Sequence, residues 1–475
     1  MTAHSKTKPP RPAASKQAAP AVAIRPAAPL KKSHETPPAR AAALEALAKA
    51  LPTAGKRQNR AMDLQAALDT ALAHRDMDPR DTALAVELAY GFTRLRGRTE
   101  FLLSRHLKNP AGLPPPVRSA MGLDAHEILH LDRVPPYASV DWAVDRIKAL
   151  AGSRLAGVAN AVLRRMADEA GQAADMDCCR TPGADATTVL SRYYSCPAWI
   201  VALWRTAYGD EMTVRFLAAQ AAAPPTGLRV NARRPKAAAL FKTLAALPGC
   251  LLATFPTLAF APGTDFSHGG LNLDALLAAG RISRQSAAAQ RALADLHPDA
   301  WPGPIFDACA GRGGKTTHLL EATDHAVWAA DIHRGRLRAL RAETIRLGLP
   351  DIPVFAASAL CPPLGRAPGT ILLDAPCSGL GVLSRRPDAK WKRTPADVAD
   401  LARIQYGLLH VAMRRVAPGG LVIYVTCTLA PEENRGLVDR FLAETPGARL
   451  ETLHEADPAS PLGEFFFAAC LRKQA

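Results

Sequence analysis

The chain lacks cysteine in any arrangement that builds structure: its nine cysteines are an odd number, scattered without paired spacing, and none forms a C-x-x-C pair. This excludes a disulfide framework, gives no sign of a zinc site, and fits a reducing cytoplasm. No run of eighteen apolar residues occurs and the N-terminus has no continuous apolar segment, so neither membrane spanning nor export is expected. Residues 1–40 have no aromatics and a single acid, Glu35, against eight prolines and eight lysines or arginines, a net charge of +7. Such a segment buries too little surface to offset the entropy of ordering, and a disordered, basic, Ala/Pro-rich tail is expected. It would either add electrostatic affinity for RNA or remain a solvated extension.

Apolar residues make up 48% of the 475 positions, enough for two or three domains. The formal net charge of +16 points to an acidic partner, nucleic acid first, with plain solubility charge as the alternative. From 41 to 170 the pattern is helical: Leu84, Leu88, Phe92 and Leu95 recur on one face, with Asp81 as candidate N-cap. Proline breaks at 114–116 and 135–136 separate further amphipathic stretches over 117–131, 140–150 and 155–166, which together make an all-helical domain. Its arginines, including Arg94, Arg96, Arg98, Arg105, Arg164 and Arg165, form either an RNA face or a solvated surface. Residues 171–183 read as a linker and 184–295 as a small subdomain mixing helices with short strands. Over 296–475, apolar runs at 305–308, 327–330, 354–356, 371–373 and 421–425 are interleaved with helical stretches, the mark of a mostly parallel, doubly wound sheet. A last strand is expected near 465–469.

Two thiols end strands of that sheet. Cys377 lies in Asp374-Ala375-Pro376-Cys377-Ser378-Gly379 and Cys427 in Thr426-Cys427-Thr428. Ligands bind outside the carboxyl ends of such strands, so both thiols would face one crevice; the alternative is two small buried hydrophobes. The first strand runs into Cys309-Ala310-Gly311-Arg312-Gly313-Gly314-Lys315, where glycines admit a ligand to the backbone and a helix N-terminus favours a negative group. The second ends in Asp331, placed to accept hydrogen bonds from ribose hydroxyls or to cap the next helix. A P-loop needs glycine where Cys309 stands, and the dinucleotide pattern fails at Thr316. Ile371-Leu372-Leu373-Asp374 still resembles a Walker-B strand, which keeps an NTPase in play. An adenosyl ligand without phosphates, S-adenosylmethionine, fits what remains.

Cytosine explains why such a site would want thiols. Its C5 is too poor a nucleophile to attack a methyl sulfonium directly, so a thiolate must first add to C6 and push electron density onto C5. A carboxyl near N3, a role open to Asp374, would stabilise the adduct. The C5 proton and the enzyme sulfur must then leave.

With these residues in place, the chain over 41–475 closely resembles the bacterial RNA (cytosine-5)-methyltransferases of the Nop/Sun group and, within it, the RsmB-type 16S rRNA enzymes. Asp374 to Gly379 matches motif IV, and Thr426-Cys427-Thr428 followed by Pro431-Glu432-Glu433-Asn434 matches motif VI. The resemblance implies an all-α NusB-like RNA-binding domain joined to an α/β Rossmann-like class I methyltransferase domain, cytoplasmic and without metal. It makes Cys427 the nucleophile and gives Cys377 a part in product release. Cys309 to Lys315 aligns with the motif I donor loop, with Gly311 and Arg312 replacing the usual alanine and proline; Arg312 would pair with the donor carboxylate or point to solvent. Asp331 matches the ribose-binding acid, and Ser358 stands where the family normally has an aspartate near the adenine. Arg229-Val230-Asn231 matches the family's Arg-Val-Asn element and Gln285 its motif X glutamine. RNA contacts are expected at Arg229, Asn231, Arg385, Arg386, Lys390, Trp391 and Lys392, the last five in a basic segment with one ring to stack on a base. A tRNA cytosine-C5 methyltransferase and a non-catalytic RNA-binding assembly factor remain as alternatives.

Overall fold

Among the described residues, proline opens four of the six long helices of the N-terminal domain, where its missing N–H costs nothing: α1 (Pro38–Ala50), α3 (Pro79–Ser104), α4 (Pro115–His130) and α5 (Pro136–Ala151), alongside α2 (Leu64–Ala73) and α6 (Ser153–Asp168). The structure, a computed structural model, describes residues 37–51, 61–132, 134–267 and 270–474; of the tail expected over 1–40, positions 1–36 lie outside the described residues. The N-cap of α3 is Asp78 rather than Asp81. The Asp78 carboxylate accepts from the amides of Arg80 and Asp81 at 2.7 and 2.8 Å, because Pro79 sets the first helical φ one residue later. The apolar stripes of α1–α6 meet in one core that includes Leu64, Leu68, Leu88, Phe92, Leu123 and Leu163. Residues 171–183, read as a linker, carry a short turn, Met176–Cys179, with Cys179 fully buried.

A kinked helix, Ala198–Ala221, follows, bent at Gly209, whose φ of +78° is open to glycine. Four short strands come next: β1 (Thr226–Val230), β2 (Cys250–Thr254), β3 (Thr257–Phe260) and β4 (Ile282–Arg284). They pair antiparallel in the order β2-β3-β1-β4.

Among the described residues the C-terminal sheet has seven strands: β5 (Ile305–Asp307), β6 (Val327–Asp331), β7 (Val354–Ala356), β8 (Thr370–Asp374), β9 (Leu421–Thr426), β10 (Ala448–His454) and β11 (Phe467–Lys473), in the order β10-β11-β9-β8-β5-β6-β7. The β7-β6-β5-β8-β9 block is parallel, while β11 runs antiparallel to both β9 and β10. Strand order reverses between β5 and β8, which opens a crevice at their carboxyl ends. The last strand begins two residues later than expected and runs to Lys473. Phe465 leaves the sheet: its amide donates to the Gly381 carbonyl at 2.8 Å, and its ring packs edge-on against Phe216 at 4.7 Å in a core with Trp204, Leu380, Leu383 and Leu429. That core takes in Leu380 and Leu429, three and two residues after Cys377 and Cys427. Among the described residues no helix is long and apolar enough to cross a membrane.

Candidate active site

Register carries the two cysteines to one place. Asp374, last in β8, pairs with Val425 of β9, so Cys377 and Cys427 leave neighbouring strands side by side. Their sulfurs are 3.2 Å apart, and the Cys427 amide donates to the Cys377 sulfur at 3.3 Å. Gly381 lets the turns close. Its amide donates to the Cys427 carbonyl at 3.0 Å, and a Cβ there would overlap the Phe465 carbonyl oxygen. The hydrogen bond between the thiols splits their acidities. It holds the Cys427 thiol below its usual pKa against the cost of burial, with Lys315 and Arg386 adding positive potential, whereas it and burial push Cys377 well up. Of the two, Cys427 is the more acidic thiol and Cys377 the one that holds its proton more tightly.

Across the crevice, Lys315 Nζ lies 2.7 Å from Asp374 Oδ2. Burial pulls the ammonium down, but Asp374 outweighs it and Lys315 stays charged, above its usual pKa. Asp307, fully buried at the end of β5, is pushed up to about 7 by burial, with Thr316 Oγ1 donating to it at 2.7 Å in opposition. Burial, then the carboxylates of Asp307, Asp374 and Asp331, push the Cys309 thiol far up, so it keeps its proton.

The loop after β5 is pinned by Asp331, whose carboxylate accepts from the amides of Gly311 at 3.0 Å and His333 at 2.7 Å. Gly311 has φ +57° and open space where a Cβ would stand. Gly313, at φ +93°, leads into the helix Gly314–Ala322, and a Cβ there would meet Leu340. Ala310 is buried, whereas Arg312 is exposed, with no partner among the described residues. Ser358 is exposed, its Oγ accepting from the Leu360 amide at 3.2 Å. The sequence reading overlooked Ile332, 65% exposed beside Asp331; an open apolar side chain at a strand end was its signal. A fit to an adenosyl ligand exists here: an open glycine loop, a helix N-terminus, a carboxylate with free lone pairs and an apolar face together.

The residues expected to touch RNA need correction. Arg229 and Asn231 are buried, 1% and 0% exposed. Arg229 holds Glu321 with two bonds of 2.9 Å, donates to Thr317 Oγ1 and the Gly314 carbonyl, and bonds Gln285. The Asn231 amide donates to the carbonyls of Gly280 and Leu347, each at 2.9 Å. Both residues lock the small subdomain onto the C-terminal sheet and have no donor left for phosphate. The segment 385–392 is committed as well, chiefly to the helical domain. Lys390, 3% exposed, donates to the Arg94 carbonyl at 2.7 Å, and the Trp391 indole donates to the Thr93 carbonyl at 2.8 Å beneath the Arg96 guanidinium. Lys392 bonds Asp388 and the Met62 carbonyl, each at 2.5 Å; Arg386 pairs with Asp63 at 2.7 Å. Arg385 turns instead to Glu464 at 2.8 Å. Arg94 and Arg98 are themselves buried. Arg386, with 60% of its side chain open, retains the most solvent access of the measured cations here.

Lys390 carries a pH signature. Burial drops its pKa from 10.5 to about 8, so between those values the unfolded chain binds more protons than the folded one, and stability rises with pH. Lys390→Met lacks this term. Denaturation at pH 7.5 and 9.5 is expected to show the wild type gaining relative to the variant by about 1–2 kcal/mol at the higher pH; equal gains would refute the burial of a charged ammonium.

Comparison with known proteins agrees with this architecture. Residues 293–464 match a family described as 16S rRNA methyltransferase RsmB/F, 37–168 match the NusB family, and 196–248 match an RsmF/B-like, ferredoxin-like domain. The chain is 34% identical over 407 residues to the ribosomal RNA small subunit methyltransferase B of Vibrio cholerae, covering 84% of this chain and 90% of that one. It is 32% identical over 403 residues to a probable ribosomal RNA small subunit methyltransferase B of Synechocystis, covering 82% and 87%. In fold it is similar to the crystal structure of PH0851, with a TM-score of 0.69 at 22% identity over 93% of this chain and all of that one. It also resembles a methyltransferase homologue from Pyrococcus horikoshii, with a TM-score of 0.52 at 23% identity over 61% and 99%. The NTPase alternative falls away: the chain belongs to the RsmB/F family of 16S rRNA methyltransferases and is an RNA methyltransferase.

Proposed function

We propose that this chain methylates carbon 5 of a cytosine in small-subunit rRNA, using S-adenosylmethionine, through a covalent bond from Cys427 to C6. The observation that carries this reading is the 3.2 Å thiol pair, with the Cys427 acidity raised and the Cys377 acidity lowered by their contact, facing the crevice that also holds the Lys315–Asp374 pair. S-adenosylmethionine would supply the electrophilic methyl group. Asp331 would accept from its ribose hydroxyls, Ile332 would cover one face of its adenine, Ser358 would lie near the adenine edge, and the Gly314 helix N-terminus would favour its carboxylate.

The cytosine must be unstacked to reach the thiolate, at a cost smallest where it is unpaired. Cys427 Sγ then adds to C6, and the electron pair of the C5–C6 double bond moves toward N3, where Asp374, beside charged Lys315, stabilises it. C5 takes the methyl group and now carries both hydrogen and methyl. Cys427, once bonded to carbon, no longer holds the Cys377 proton, so Cys377 can lose that proton to water and accept the C5 proton in its place. The C5–C6 double bond re-forms as Cys427 leaves as thiolate, restoring both thiols to their starting states with one proton released.

Incubating the purified protein with deproteinised small-subunit rRNA and methyl-labelled donor is expected to yield labelled 5-methylcytosine. Label found only in tRNA would move the substrate to the tRNA alternative. Calorimetry that detects RNA binding but no donor binding to the folded protein would instead favour the assembly factor.

A further inference from the structure

The two cysteine turns are joined by a buried polar buckle that the chemistry above does not use. Glu433, 0% exposed, sends its carboxylate to both. Its Oε2 accepts from the Ser378 amide at 2.8 Å, on the turn carrying Cys377, and its Oε1 accepts from Thr428 Oγ1 at 3.3 Å, on the turn carrying Cys427. Ser378 Oγ and Thr428 Oγ1 meet directly at 2.7 Å. Gln405, from the helix Pro395–Arg415, bridges the Glu433 Oε2 and the Pro376 carbonyl, each at 2.8 Å. The Tyr424 hydroxyl fixes the Glu433 carbonyl at 2.7 Å and Gln405 Oε1 at 3.1 Å. Every donor converging on this acid is buried, so the carboxylate's place is over-determined.

We propose that Glu433 is a positioning residue, tying the turns of Cys377 and Cys427 together and so setting the contact between their sulfurs. Neither turn holds that separation by regular strand pairing, because both cysteines lie past the ends of β8 and β9. The thiol–thiol hydrogen bond weakens steeply with distance, so a turn that drifts raises the acidity midpoint of Cys427 and misplaces it for C6. The inference rests on Cys427 as the nucleophile and adds what sets its reactivity.

The test is the pH dependence of iodoacetamide alkylation at Cys427, read peptide by peptide by mass spectrometry on the full chain, with kcat and KM for RNA measured in parallel. Glu433→Ala is expected to raise the Cys427 midpoint by about one pH unit and lower kcat about a hundredfold, as for a misplacement near 1 Å, with KM for RNA unchanged. Glu433→Gln should be rescued in both readouts, since its amide oxygen can face the Ser378 and Gln405 donors while its NH2 faces Thr428 Oγ1. Should Glu433→Ala fail to fold, Thr428→Val cuts the same bridge from the other turn at constant shape and is expected to shift the midpoint likewise. An unshifted midpoint in folded Glu433→Ala or Thr428→Val, or a glutamine variant no better than alanine, overturns the inference while leaving the nucleophile intact. A wild type in which Cys427 titrates like exposed Cys361 overturns the nucleophile reading and this inference with it.

Discussion

Cys427→Ala is expected to abolish methyl transfer, by on the order of 10⁴-fold or more in kcat, the scale seen when a covalent nucleophile is removed. Cys377→Ala is expected to do something different: to accumulate a protein–RNA adduct that survives denaturing electrophoresis. The asymmetry follows from the proton. In the proposed reaction, contact with Cys377 only lowers the pKa of Cys427, so Cys427 can form the carbon–sulfur bond without Cys377, though more slowly. Elimination would have no such substitute, because the C5 proton needs an acceptor beside the leaving sulfur, and the proposed acceptor, Cys377, stands 3.2 Å away. The check is electrophoresis of Cys377→Ala, Cys427→Ala and the double variant after incubation with rRNA and S-adenosylmethionine. An adduct in Cys427→Ala and none in Cys377→Ala would reverse the two roles.

Arg229→Ala is the second large effect, and it concerns folding. The guanidinium and Glu321 are both nearly sealed from water, at 1% and 2% side-chain exposure. Removing one partner leaves a buried carboxylate unpaired, which costs about 3–5 kcal/mol; at a few degrees per kcal/mol for a domain of this size, the melting temperature should fall by about 10 °C. The lost bonds to Gly314 and Gln285 also loosen the start of the donor-loop helix. Arg229→Met combined with Glu321→Leu should regain part of the loss, because replacing both ions by apolar groups leaves no bare charge. Thermal melts of the three variants decide it. A single variant melting within about 2 °C of wild type would mean the pair carries no net stability.

Arg229, Asn231, Lys390 and Trp391 look like RNA contacts in one dimension, since an arginine or an exposed aromatic among lysines is what phosphate and bases require. Their actual partners are Glu321, Leu347, Arg94 and Thr93, between 92 and 298 positions away. A buried cation satisfied by a distant carbonyl has the same local sequence as an exposed one. Asp81 was misread for a more local reason, because Pro79 moves the helix start toward Asp78. β10 carries no continuous apolar run, since at the sheet edge its residues are half-buried or exposed and none is fully buried.

The sequence by itself determined the elements whose signals are local. These are the proline-opened helices, the apolar parallel strands, the glycine loop after β5, and two cysteines at strand ends beside motifs specific enough to name a family. Hydrophobic periodicity and turn chemistry act within a few residues, so one dimension suffices to read them. Only the tertiary structure decided that the two thiols lie 3.2 Å apart, that Lys315 faces Asp374, that Glu433 buckles the two turns, and that the basic segment after Cys377 mainly clamps the helical domain. Each of these depends on burial and on charges brought within a few ångströms from distant parts of the chain, where Coulomb and hydrogen-bond energies are set by the packed neighbourhood rather than by the order of residues.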